Sequence, residues 1–308
     1  MGAILKLLLL LLVFVGTPCI AEELLKDLAY LASDELAGRK TGSEGNLKAA
    51  HYIKTRFENL GLAPFDTRFE QAFSYSSGFG SQKNGKNIVG LIKAKHANAP
   101  YLVITAHYDH LGNQGRRIFN GADDNASGVA ALFALAKTAK QYPLNYNWLF
   151  VATDAEENGL YGAKALVSLL QNSNIPIILN INLDMLSVKG RNKRVFAFTD
   201  KRLAPAKSII EQFNNNKSPS KIQYITSNYQ ANRRQNEKID WRRASDHDAF
   251  RRANVPYVYF GVGIHPNYHT ENDTFANIDP AFYQSVVEQI SFITLALDQQ
   301  KVPQLLTQ

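Results

Sequence analysis

The chain is 308 residues long, 45% hydrophobic and 20% charged, with a formal net charge of +7 and one cysteine. A chain of this size can bury a large core as one domain or divide into two, and one is favoured here. The positive charge suits acidic partners or solubility alone; no nucleic-acid partner is expected, since no interleaved aromatic platform or recognised motif accompanies the charge.

Lys6 is followed by an unbroken apolar run from Leu7 to Val15 and then by Gly16, Thr17, Pro18, Cys19, Ile20 and Ala21. A charged start, a short apolar core and a small residue at the end make residues 1–21 a signal peptide cut after Ala21, too short to span a bilayer as a stable helix. The expected mature chain, 22–308, is one catalytic domain, periplasmic or secreted, with no stable membrane anchor. It has lost Cys19, which removes disulfides, thiolate nucleophiles and thiolate metal ligands.

Beyond the leader the pattern alternates. Glu22 to Ala32 and Gly45 to Leu60 have helical spacing of apolar residues, and Gly61 is a natural stop for the second. Short β-branched or aromatic runs at Asn87–Ile92, Tyr101–Ala106, Trp148–Thr153, Ile177–Leu183 and Val255–Phe260 predict buried strands. Between them, Ser127–Lys140, Leu160–Gln171, Leu203–Asn214 and Pro280–Leu297 predict helices. Such alternation argues for an α/β fold with a mostly parallel sheet covered on both faces, and ligands gather beyond the carboxyl ends of such strands. The polar stretch Asn214–Arg243 has little apolar content and is expected to be an excursion bordering the site. The arginine pairs 233–234, 242–243 and 251–252 are expected on a solvated face, with an acid-attracting pocket rim as the alternative.

The polar residues after these strands carry the chemistry. His107-Tyr108-Asp109 follows Tyr101–Ala106, and residues two apart on an extended chain share a side. Taken alone, the triplet fits a structural histidine at a strand end. Gly121-Ala-Asp-Asp-Asn-Ala-Ser-Gly128 opens the alanine-rich helix with adjacent carboxylates, which serve equally well as helix caps or as buried groups that need a cation. After Trp148–Thr153 stands Asp154-Ala-Glu156-Glu157, where one glutamate can bind a metal and its neighbour move protons, or both can form a solvated turn. Ile177–Leu183 ends at Asp184, and the last strand leads through Gly261, Gly263 and Pro266 to Tyr268-His269. This inventory of nitrogen and oxygen donors suits zinc better than a soft metal or calcium, although manganese or cobalt can occupy similar donors.

The order His-x-Asp, Gly-Ala-x-Asp-Asn-x-Ser-Gly, Glu-Glu-x-Gly, Leu-Asp-Met, Tyr-His-Thr resembles the di-zinc aminopeptidase family, which also contains glutamate carboxypeptidases and glutaminyl cyclases. Leu31-Ala-Ser-Asp-Glu-Leu-Ala-Gly-Arg39 and Thr41-Gly-Ser-Glu-Gly45 look like this family's opening, so the similarity extends over nearly the whole mature chain. The resemblance implies a three-layer α/β/α sandwich with a mostly parallel mixed central sheet, of zinc-exopeptidase type. It implies two zinc ions: His107 and Asp184 on one, Glu157 and His269 on the other, and Asp124 bridging, with a cis peptide bond after Asp124. It makes Glu156 the general base, Asp109 the carboxylate orienting His107, and Tyr268 a hydrogen-bond donor to the oxyanion. Ser245-Asp-His247-Asp-Ala-Phe250 matches a segment near the family's pocket and is taken as wall rather than ligand. His51, His96, His110 and His265 have no motif support and are taken as surface or packing histidines. The activity implied is removal of the amino-terminal residue of peptides. The alternatives are a carboxypeptidase or glutaminyl cyclase on the same scaffold, or a binding homologue without catalysis.

Overall fold

The computed structural model describes residues 17–77, 80–190, 192–235, 239–300 and 302. The expected leader, 1–21, lies largely outside them; its last five residues open the first helix. Among the described residues, no helix is long and apolar enough to cross a membrane.

Helices α1 (Thr17–Leu31) and α2 (Glu44–Asn59) come first. Strands β1 (Ala63–Pro64), β2 (Glu70–Ser77), β3 (Ser81–Ile92) and β4 (Tyr101–His107) follow, then a small ribbon of β5 (Gly112–Gln114) and β6 (Arg117–Phe119). A π-helical turn, Ala122–Ser127, leads into α3 (Gly128–Ala139), followed by β7 (Asn147–Thr153), α4 (Tyr161–Asn172), β8 (Ile177–Leu183) and β9 (Arg194–Thr199). The remainder is α5 (Lys207–Glu211), β10 (Lys221–Ile225), α6 (Asn228–Gln235), α7 (His247–Arg252), β11 (Tyr257–Gly261) and α8 (Pro280–Gln299).

Nine strands form one mixed sheet in the order β1-β3-β7-β4-β8-β11-β9-β10, with β2 beside β3. The centre, β7-β4-β8-β11, is parallel, so these four strands deliver their carboxyl ends to one edge. Period-two alternation builds the layers. Leu102, Ile104 and Ala106 of β4, with Trp148, Phe150 and Ala152 of β7, join the core under α1, α2, α3 and α8. Val103, Leu149 and Val151 face the other way, against α4 and α7. This is the expected α/β/α sandwich.

The predicted strands and helices are present within a few residues. Pro256 delays the last strand to Tyr257, and the helix expected over Leu203–Asn214 is a 3-10 segment at Lys201–Ala206, holding Pro205, followed by the single turn of α5. The polar stretch 214–243 contributes β10 and α6, and its Trp241 is buried against Phe196, Phe198 and Tyr259.

His247 belongs to this aromatic group. Its ring lies 4.9 Å from that of Tyr257 and 4.8 Å from that of Tyr259, and Nε2 donates to the carbonyl of Trp241 at 2.8 Å. Burial lowers its pKa to about 4. The unfolded chain therefore binds a proton here that the folded chain refuses, so stability present above pH 6.5 is lost as the pH falls towards 4, by about 3 kcal/mol. In His247→Gln, which keeps a donor and does not titrate, urea unfolding between pH 6.5 and 4 is expected to lose less stability than the wild type by that order.

Candidate active site

The carboxyl ends of the parallel strands converge on one cavity of about 160 Å³, lined by His107, Asp124, Glu156, Glu157, Asp184, Tyr268 and His269 together with an apolar wall. Each acidic or imidazole group reaches it by a different route. His107 ends β4, Glu156 and Glu157 follow β7, and Asp184 follows β8. Tyr268 and His269 stand on the loop after β11, and Asp124 stands on the π-helical turn before α3.

That turn is held from several sides. The backbone N–H groups of Asp123 and Asp124 donate to the carboxylate of Asp273 at 2.8 and 3.0 Å. Asn125 donates through Nδ2 to the carbonyl of Leu183, and its Oδ1 accepts from Gly128 and Met185, which ties the turn to the strand end bearing Asp184. Gly128 is required by proximity: a Cβ there would lie 2.4 Å from both Asn125 Oδ1 and the Leu183 carbonyl. The Asp124–Asn125 peptide bond is cis, as the resemblance implies.

The donors fall into two sets that share Asp124. In the first, Nε2 of His107 lies 3.3 Å from Asp124 Oδ1 and 3.5 Å from Asp184 Oδ1. In the second, Nε2 of His269 lies 3.0 Å from Asp124 Oδ2 and 3.4 Å from Glu157 Oε1. Within each set the ligand atoms are all within 4.8 Å of one another, a spacing that one cation can bridge. Burial and the Asp124 charge would raise the Glu157 pKa, but hydrogen bonds from His110 and His269 hold it below the ordinary carboxylate value. Asp184 Oδ1 is buried without a hydrogen-bond partner among the described residues. A buried, unpaired carboxylate oxygen beside other carboxylates is costly unless a cation offsets it, so the donor chemistry fits a pair of divalent ions.

Glu156 lines the cavity with no described side chain hydrogen-bonded to its carboxylate, and burial raises its pKa well above the ordinary value. Asp109 fixes it from behind. Its carboxylate accepts from the backbone N–H of Glu156 at 3.0 Å and of Glu157 at 3.3 Å. His107 Nδ1 is 3.1 Å from the carbonyl of Asp109 and 3.7 Å from its carboxylate, so the expected orienting contact runs mainly through the main chain. Tyr268 stacks on His269 with ring centroids 3.8 Å apart, and burial raises its pKa, so the phenol keeps its proton.

Two histidines without motif support make polar contacts with acidic residues of the site. His110 is buried against Glu157, and His265 donates through Nε2 to Asp123 at 2.9 Å. His110 stands one residue beyond His107-x-Asp109, an adjacency that does not by itself place it against Glu157. His51 and His96 are exposed, as expected. Arg39 was also unassigned. It is fully buried, and its guanidinium donates to the carbonyls of Tyr108, Asn120, Gly121 and Leu31. Burial lowers its pKa to about 10 against the pull of Asp273, Asp124, Asp109 and Glu157, so the group stays charged behind the site.

An open α/β sheet with two overlapping nitrogen-and-oxygen donor sets at its strand ends is the arrangement of a metallopeptidase. The chain belongs to peptidase family M28, whose profile matches residues 87–294. It is 32% identical over 164 residues to the alkaline phosphatase isozyme conversion protein of Escherichia coli (strain K12), covering 49% of this chain and 47% of that protein. It is 33% identical over 108 residues to aminopeptidase YwaD of Bacillus subtilis (strain 168), covering 34% and 23%. The chain thus spans under half the length of these relatives. Among solved structures, it resembles BSAP, a zinc aminopeptidase from Bacillus subtilis, with TM-score 0.71, 15% identity and coverage of 93% of this chain and 98% of that one. It also resembles a glutaminyl cyclase of Porphyromonas gingivalis, with TM-score 0.67, 18% identity and coverage of 89% and 97%. At such identities the likeness shows the fold.

Two outcomes follow from this geometry. Arg39→Met removes the guanidinium donor from four carbonyls, of which that of Gly121 keeps the Ala126 N–H, and is expected to cost about 3–5 kcal/mol in urea unfolding of chelated protein, with Arg39→Lys recovering only part because it lacks the planar fork. Zinc added to chelated protein is expected to raise its melting temperature, by the equivalent of about 4 kcal/mol at a thousand times Kd, and Asp124→Ala is expected to abolish the rise.

Proposed function

We propose that the chain is an exported aminopeptidase that removes the amino-terminal residue of peptides using two zinc ions. The observation that carries this reading is the lining of the cavity. Glu156, Glu157, Asp124 and Asp184 give it an acidic face, while Met185, Ile239, Trp241, Ala244 and Ile264 give it an apolar one, and among the described residues no arginine or lysine lines it. A free amino terminus is a cation and suits such a pocket; a terminal carboxylate would need a basic partner. Among the late arginines, Arg242 pairs with Asp240, both Arg251 and Arg252 pair with Asp248, and none of these three lines the cavity. That observation disfavours a carboxypeptidase.

His107, Asp184 and Asp124 would hold one ion, and Glu157, His269 and Asp124 the other. When bound, the ions supply Lewis acidity, stabilising negative charge on the scissile carbonyl and acidifying water. The chain's own residues do the rest. Glu156, whose carboxylate has no hydrogen-bond partner among the described residues and whose pKa burial raises, takes a proton from the attacking water and returns it to the leaving amine. Tyr268 donates to the carbonyl oxygen as charge builds there. Export rests on residues 1–21, whose charged start and apolar core are those of a cleaved leader.

Hydrolysis of aminoacyl-nitroanilides is expected, lost on chelation and restored by zinc, with peptides blocked at the amino terminus left intact. Cleavage of blocked peptides alone would overturn the assignment, and cyclisation of an amino-terminal glutaminyl peptide without hydrolysis would replace it with the cyclase activity. Glu156→Gln is expected to keep its zinc and its melting temperature while losing about 10³-fold in kcat.

A further inference from the structure

The two donor sets are unequal. His107, Asp124 and Asp184 make up one, whereas Asp124, Glu157 and His269 have a second imidazole beside them, His110. The His110 ring is buried, and its backbone N–H reaches the carbonyl of Arg39 at 3.4 Å. Its packing is tight: a Cβ on Gly121 would lie 2.6 Å from His110 Cδ2. The ring meets that of His269 edge-on at 5.7 Å. Nδ1 lies 2.9 Å from Glu157 Oε1, a hydrogen-bond distance, but 3.8 Å from Asp124 Oδ2.

Among the described residues, Nε2 of the same ring, buried, has no hydrogen-bond partner. That orphan decides the proton's place. Were Nδ1 to ligate a cation, the proton would sit on Nε2 as a buried donor with no acceptor. With the proton on Nδ1, donated to Glu157, only a lone pair is left unused, and unsatisfied acceptors are tolerated better than orphaned donors.

We propose that His110 is a positioning residue: its Nδ1–H holds the Glu157 carboxylate towards Asp124 and His269 and so sets the affinity of the second cation without ligating it. The inference rests on the two-ion reading above. Carboxylate ligands are commonly fixed by such an outer hydrogen bond, and its loss typically weakens metal binding by about 10- to 100-fold.

The test is zinc titration of the chelated full-length chain against a competing chromophoric chelator, with the melting temperature of the metal-free protein measured alongside. His110→Leu is expected to weaken one of two binding steps by about 10- to 100-fold and leave the other unchanged. His110→Asn, whose amide nitrogen falls near the Nδ1 position, is expected to restore the weakened step, and His110→Gln, whose amide falls near Nε2, is not. Should the leucine variant fail to fold, the asparagine–glutamine comparison carries the test. Two unchanged binding steps in the leucine variant would overturn the role of His110 alone, as would asparagine and glutamine variants equally weak. A wild type that binds one zinc or none would overturn the two-ion reading itself.

Discussion

Negative charge buried around Asp124 is the constraint on which the rest of the molecule turns. Asp109, Asp123, Asp124, Asp184 and Asp273 are all buried, with Glu157 nearly so. In a low-dielectric interior such a cluster is unstable unless cations and donors surround it. The chain supplies the donors through its architecture: backbone N–H groups of the turn to Asp273, those of the Glu156–Glu157 turn to Asp109, and the Ser187 main chain and hydroxyl to Asp123. Arg39 contributes fixed positive charge from within the fold, leaving one face of Asp124 open to the cavity.

The sheet explains why these groups meet. Three parallel strands that end side by side place His107, Glu156–Glu157 and Asp184 on one edge, and β11 adds the loop with His269. The strands are paired along their lengths and covered on both faces, so the donors stand on a rigid base. Loops define the pocket's outer wall, to which Ile239, Trp241 and Ile264 give an apolar face.

Much of this was legible in the residue order because buried parallel strands are written as apolar runs. The runs at Tyr101, Trp148 and Ile177 announce β4, β7 and β8, and the eight site residues follow strand ends or stand in dense motifs. What stayed hidden had no local signature. β2 carries Glu70, Gln71 and three serines on a partly exposed hairpin, so its apolar content never forms a run. Arg39 binds main-chain carbonyls, which leave no mark on the sequence. His265 meets Asp123 across 142 positions, and His110 acquires meaning only once Glu157 is brought beside it from β7.

The link between Asp123 and Asp273 joins positions 150 apart in the chain. On the ribosome, vectorial synthesis would deliver the first donors long before the segment that braces them. Nascent protein ending before His269 therefore presents a crowd of acids with neither its brace nor its last imidazole, and the donor sets can be completed only after residues 269–273 have been made. The segment that closes the site thus also ties together parts of the chain made far apart in time.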